Sequence, residues 1–520
     1  MPGVCLTGGH HEIRRLETDI WLSERAKRDS GESDRQGCSM YVLLSVVFAV
    51  FLQEGTFWSS GVSFSPNYRH ANERYAPLTQ KQKERIHSIA QELRGIVAGL
   101  ASEEQKNQLS GELAALFAES GDMEAAREIA GSIKSEAART EALASIAHAQ
   151  GSNQDFAGAL ETAASIGAES RRAAVMLDVI SEQAGAKDFT GALQNAGKLT
   201  GEPAAHTSAL VKIAEARTKA NQKTEALGLL AKALESSSGV TSCDYEGIQG
   251  CRLLLLGQIA TAQFHAGDAA AAQKTLELAE EGLAQSPQEE RFASVAELAS
   301  AEQALGHPER AKELLSNMPG MAGQFGEVMS AIQQVSQAAE KGDLASVRTA
   351  VETISDPEQR SLGELIMAEA YASTGDAKSA LDTLRTLKPV SRRAQFAGGV
   401  AQGLARNGKF AEADEALKIG MAAAETEEND SEVEELLAAA VQVHAEAGDA
   451  DLTRSKAALI KNREKRAQAV RGAAQTLASK KKEQEVLKWS AGEESALVKA
   501  NLLLGAAAGV AAQEEEEKKQ

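Results

Sequence analysis

The sequence predicts an all-α protein, an α-solenoid wound as a right-handed superhelix of about ten to eleven helical hairpins. Three observations carry that prediction. First, a turn recurs at a near-constant interval, as Gly121-Asp122, Gly267-Asp268, Gly342-Asp343, Gly375-Asp376 and Gly448-Asp449, with degenerate versions at Gln154-Asp155, Lys187-Asp188, Asn221-Gln222, Gly306-His307 and Gly408-Lys409. Successive turns are 33, 33, 34, 46, 39, 36, 33, 33 and 40 residues apart. A period in this range is the mark of one supersecondary unit repeated. Second, small residues recur in pairs 12 apart: Ala114/Ala126, Ala147/Ala159, Ala214/Ala226, Ala260/Ala272, Ala299/Ala311, Ala368/Ala380 and Ala401/Ala413. A small residue at one level on each of two antiparallel helices lets their backbones approach. Third, hydrophobic residues make up 43% of the 520-residue chain but aromatic ones only 4%, and there are 9 Pro, few of them in helical runs. That mix suits continuous helices packed through alanine.

The elements follow in order. Thr79 precedes an apolar stripe at helical spacing, Ile86, Ile89, Leu93, Ile96 and Val97, and reads as the N-cap of the first helix. Ser102, with Gln105 three residues on, reads as a capping box opening the next helix, which carries Leu109, Leu113, Leu116 and Phe117 and stops at Gly121. From there helix A, turn and helix B alternate. In the second unit helix A is expected over 142–150 and helix B over 156–166. Ser286-Pro287-Gln288-Glu289 and Asp356-Pro357-Glu358-Gln359 open later A helices with an N-cap, a Pro at the first helical position and Glu or Gln at the third. Ile146, Ile213, Ile259, Leu298, Leu230, Leu315 and Leu384 are expected to fill the grooves between hairpins. An Arg recurs at the start of helix A (Arg139, Arg172, Arg252, Arg291, Arg360, Arg393, Arg466). There a cation can bond the last carbonyls of the preceding helix B and offset its dipole. Residues 235–250 and 316–326 lengthen two connections.

This pattern resembles the tetratricopeptide repeat. The units Met367-Ala368…Tyr371…Gly375-Asp376…Ala380…Leu384 and Val400-Ala401…Leu404…Gly408-Lys409-Phe410…Ala413…Leu417 carry the likeness best. Two features depart from it: the aromatic early in helix A is replaced by small or aliphatic residues, and the Pro that often closes the unit is mostly missing. The resemblance implies a concave groove lined by the A helices, where a peptide ligand lies. By place in the unit, the partner-binding candidates are His148, Glu215, Lys219, Thr261, His265, Glu369, Gln402 and Arg406. The cluster of Lys, Asn and Arg that clamps a C-terminal carboxylate in some family members is not evident among them.

The formal net charge of −19 argues against nucleic acid as a partner, since that needs a basic face. The uncharged run Tyr41–Leu52 has the length of a signal-peptide core, short for a membrane span. Residues 1–39 are accordingly expected to be a disordered or non-native leader, with translation starting at Met40, and 40–61 a signal peptide ending in Ser59-Ser60-Gly61 or a membrane anchor. Residues 62–79 then form a linker, 80–512 the solenoid and 513–520 a charged, disordered tail. Export to the periplasm or cell envelope follows, with a cytoplasmic location as the alternative. Of four Cys, Cys5 and Cys38 precede the apolar run. Cys243 and Cys251 flank a short insertion segment and are a disulfide candidate where the compartment permits one.

No phosphate-binding loop, zinc-protease or nucleophile-elbow motif occurs, and neither the His nor the Cys spacing suits a metal. No cofactor, metal or catalytic residue is therefore expected. The expected function is a non-catalytic scaffold that binds a protein or peptide partner. The alternatives are an envelope enzyme or enzyme subunit framed on the solenoid, or a cytoplasmic adaptor.

Overall fold

The structure is a computed structural model that describes residues 78–241, 251–286, 288–316, 338, 343–354 and 357–513. Every described residue belongs to one compact unit, Ala71–Gln520. The apolar run 41–52, most of the linker, Cys243, much of both insertions and all but the first residue of the charged tail lie outside the described residues. So does the side chain of Cys251, and with it the disulfide candidate.

Among the described residues the chain is helical throughout. In order the helices are α1 (Gln80–Ala98), α2 (Glu103–Ser120), α3 (Met123–Ser132), α4 (Glu136–Ser152), α5 (Phe156–Ala164), α6 (Glu169–Gly185), α7 (Phe189–Ala196), α8 (Pro203–Lys219), α9 (Lys223–Ser237), α10 (Cys251–Ala266), α11 (Ala269–Gln285), α12 (Gln288–Ala304) and α13 (Pro308–Ser316). They continue with α14 (Leu344–Glu352), α15 (Pro357–Ser373), α16 (Ala377–Thr386), α17 (Val390–Arg406), α18 (Phe410–Thr426), α19 (Asp430–Glu446), α20 (Ala450–Ala457), α21 (Arg463–Ser479), α22 (Glu483–Ala491) and α23 (Ala496–Ala511). None of them is long and apolar enough to cross a membrane.

The recurring Gly-Asp is two helix caps fused. Gly121 ends α2 in the left-handed region at φ 92°, and Asp122 N–H reaches back to the Phe117 carbonyl at 2.8 Å. The Asp122 side chain then accepts from Ala125 N–H at 3.1 Å and starts α3. Asp155, Asp188, Asp268, Asp343, Asp376 and Asp449 cap the later B helices in the same way. An Asp at this place satisfies an amide that the helix cannot, for about 1 kcal/mol. Where Gly is replaced, the backbone still takes positive φ, 63° at Gln154 and 70° at Lys187. A side chain in that region costs about 1–2 kcal/mol, against about 0.5–1 kcal/mol of chain entropy for Gly. Lys187→Gly is therefore expected to stabilise the protein by about 0.5–1 kcal/mol in urea unfolding.

The alanine pairs are packing sites. All fourteen are buried, at 0–2% exposure, and the expected groove fillers Ile146, Ile213, Ile259, Leu298, Leu230, Leu315 and Leu384 are buried too, at 0–5%. Most of the boundary arginines do what their place suggests. Arg139, Arg172, Arg360 and Arg393 donate to the carbonyls of Ile133, Ile166, Ile354 and Leu387, each six residues back, at 2.9–3.3 Å. Arg466 departs from the rule and pairs with Glu493 at 2.6 Å, because a carboxylate stands there. Arg291's side chain lies outside the described residues. The full capping box forms at Thr79 and Gln82, while the Ser102 hydroxyl caps Gln105 N–H. In the second unit helix A is longer than expected, and helix B ends at Ala164.

Each A helix packs on the A helix of the next unit, from α2 through α12 and again from α15 through α23. The B helices mostly meet only their A neighbours. The A helices are therefore the layer that runs on from unit to unit.

In a solenoid each unit ordinarily touches only its neighbours; here the two ends of the described array depart from that. Among the described residues no helix B follows α23 and no helix A precedes α1; the two pack against each other as one hairpin built from both ends of the described array. One apolar cluster joins Ile86, Leu93, Leu113 and Phe117 to Val470, Leu477, Leu502, Leu503 and Val510. Gln82 Nε2 donates to the carbonyls of Val510 and Gln513 at 3.1 and 3.0 Å, capping the open end of α23. Arg85 pairs with Glu483, and Arg471 of α21 with Glu112 of α2. The solenoid thus closes end to end.

Candidate functional site

The candidate site is the row of A-helix positions that the resemblance assigned to a groove. Its positions repeat because the A helices repeat. The residue after the small A-helix residue is His148 in the second unit, Glu215 in the fourth, Thr261 in the fifth, Glu369 in the eighth and Gln402 in the ninth. Glu215, Thr261, Glu369 and Gln402 are half-buried, and Lys219, His265 and Arg406, one turn further on, are exposed. Glu215 pairs with Lys212 at 3.3 Å. His148 departs from the expectation of a groove-facing group: it is 8% exposed and turned to the next A helix.

Two places concentrate charge. At the first, His148 of α4 lies between two carboxylates of α6, with Nδ1 3.3 Å from Glu182 Oε1 and Nε2 3.5 Å from Asp178 Oδ2. Burial works against the imidazolium, but the hydrogen bond to Glu182 and the charges of Asp178 and Glu182 outweigh it and hold His148 above its ordinary value. Burial also raises Asp178 and Glu182. Gly151 makes room for this arrangement, since a Cβ there would overlap the Glu182 carboxylate.

At the second, Glu369 of α15 lies over Gly399 of α17, where a Cβ would again overlap a carboxylate oxygen. Desolvation pushes Glu369 up to about 7, with Arg406 opposing. The folded protein therefore takes up a proton that the unfolded chain, with its ordinary value of 4.5, holds less tightly. The resulting stability is fully present below 4.5 and is lost as the pH rises through about 7. Glu369→Gln is expected to raise stability by about 2 kcal/mol above neutral pH, after allowance for its partial exposure, and to leave it unchanged near pH 4.5. Thermal melts across pH would check this; a variant that tracks the parent at every pH removes the account.

Asp178 and Glu182 were not legible as site residues when each helix was read alone. The signal was their place one unit on, 30 and 34 residues after His148. Among the described residues no group of three His, Cys, Asp or Glu is placed to hold a metal ion.

No protein-family model matches this chain, and no curated protein matches it. Solved structures do. The crystal structure of Ton1535 from Thermococcus onnurineus NA1 is 16% identical, with a TM-score of 0.21, over 76% of this chain and 98% of that one. The structure of Naa15/Naa10 bound to HypK-THB is 15% identical, with a TM-score of 0.26, over 80% of this chain and 69% of that one. At these scores neither likeness carries an argument about the site.

Proposed function

We propose that the protein is a non-catalytic interaction scaffold of tetratricopeptide-like units that holds a protein or peptide against the inner face of its A helices. The observation that supports this reading is the stacking of A helices, in the two runs described, with polar positions at least partly open to solvent, Glu215 and Lys219 in the first run and Gln402 and Arg406 in the second. A repeated layer of this kind offers an extended surface, which suits a chain-like ligand. The reading includes export, on the strength of the apolar run 41–52. Sequencing the amino terminus of protein from its native host is expected to find a start near Val62 or an intact membrane anchor.

The binding test is photo-crosslinking in the native host. A photoreactive residue at Thr261 or Gln402, on A helices, is expected to give one discrete adduct. The same residue at Leu278, exposed on helix α11 of the B layer, is expected to give none. Equal labelling at Leu278 would overturn the assignment of the binding face.

A further inference from the structure

The stacking of A helices has a weak apolar seam between α4 and α6. Ala142, Ile146 and Ala149 of α4 belong to the core shared with the chain ends, and Ile180 and Ala184 of α6 to the core that runs on to α10. Between them is a small separate cluster around Ala147, Ile166 and Val179. The polar contacts across this seam are ionic. Arg171 of α6 pairs bidentately with Glu141 of α4 at 3.0 and 2.7 Å, but Glu141 is largely exposed and that pair is screened. The buried contact is His148 between Asp178 and Glu182.

We propose that the α4–α6 seam is a proton-operated joint, in which the His148 imidazolium ties both carboxylates of α6 to α4 and loss of its proton lets the hairpins on either side part. The chemistry follows from the charge. An imidazolium donates from Nδ1 to Glu182 and holds its positive charge 3.5 Å from Asp178; a neutral imidazole keeps at most the hydrogen bond to Glu182 and offers Asp178 no charge. Asp178 and Glu182 stand one helical turn apart, so once the cation is gone two half-buried negative charges face each other with little to balance them. The other charges acting here are Arg171, already paired with Glu141, and Lys212 of α8, which acts on Asp178 and is paired with Glu215.

The direction is fixed by the three groups together. His148, Asp178 and Glu182 all hold their protons more tightly than usual. The joint is therefore closed below 6.5, the ordinary value of His148, and opens as the pH rises through its higher folded value.

Hydrogen–deuterium exchange of the full chain at about pH 6 and about pH 8.5, corrected for the base-catalysed chemical rate, tests this. In the wild type, α4 and α6 are expected to lose protection at the higher pH while α10 and α11 keep theirs, by about tenfold for each unit that His148 is shifted. His148→Gln is expected to leave α4 and α6 equally open at both pH values, and Asp178→Asn with Glu182→Gln to give them the same protection at both. The proposal fails if wild-type α4 and α6 track α10 and α11, or if His148→Gln keeps the pH-dependent loss. Should His148→Gln not fold, the double carboxylate variant decides alone: a persisting pH-dependent loss there overturns the joint.

Discussion

Replacing Arg471 with alanine is expected to destabilise the closed array by about 3–5 kcal/mol, because it strands the buried Glu112 carboxylate. The two side chains are 9% and 12% exposed and face each other across the junction of α21 and α2. Burial lowers the guanidinium only to about 9, so Arg471 is charged at neutral pH. Removing one partner leaves a charge in a poorly solvated place. Removing both does not, so Arg471→Leu combined with Glu112→Leu is expected to lie within about 1 kcal/mol of the parent. Urea unfolding of the two singles and the double forms the cycle. A single variant as stable as the parent would mean that the pair is hydrated and that closure does not depend on it.

How much of this was legible in the sequence divides along physical lines. The hairpins were readable because their signals are local. A Gly at the left-handed position and an Asp at the next N-cap are fixed by backbone geometry within six residues, as at Gly121-Asp122 and Gly375-Asp376. The alanine pairs were readable because their interval of 12 belongs to one hairpin. Contacts between units were hidden by distance along the chain, yet they follow the period. His148–Glu182, Arg94–Glu128 and Gln442–Thr476 are 34 apart, and Arg171–Glu141, Arg310–Glu280 and Arg385–Glu415 are 30 apart. One unit, or one unit less a helical turn, separates the partners. The closure had no such local signal. The apolar length of α23 could have shown that this last helix is covered on every side, since a helix apolar all round must be buried. Nothing local says that its cover, α1, comes from the other end of the chain.

That cover depends on two glycines, and here a methyl group is expected to be decisive. Helix α23 lies so close to α21 that a Cβ at Gly505 would overlap the Arg471 carbonyl and crowd the Ala474 methyl; at Gly509 it would overlap the Gln475 carbonyl and the Ala478 methyl. The obstacle is backbone and cannot rotate away, so α23 must move off α21. Gly505→Ala is expected to cost about 3 kcal/mol from overpacking, against a helix-propensity gain of about 1 kcal/mol. The net loss should appear first as faster amide exchange in α1, which packs on the displaced helix, and next as a lower unfolding midpoint. Gly228 supplies the control: it lies within α9 with nothing within 4 Å of where a Cβ would be. Gly228→Ala should therefore stabilise by about 1 kcal/mol. The same chemical change is then expected to act with opposite signs at two helical sites. If Gly505→Ala proves as stable as Gly228→Ala, with α1 equally protected in both, the close approach of α21 and α23 does not hold the ends together.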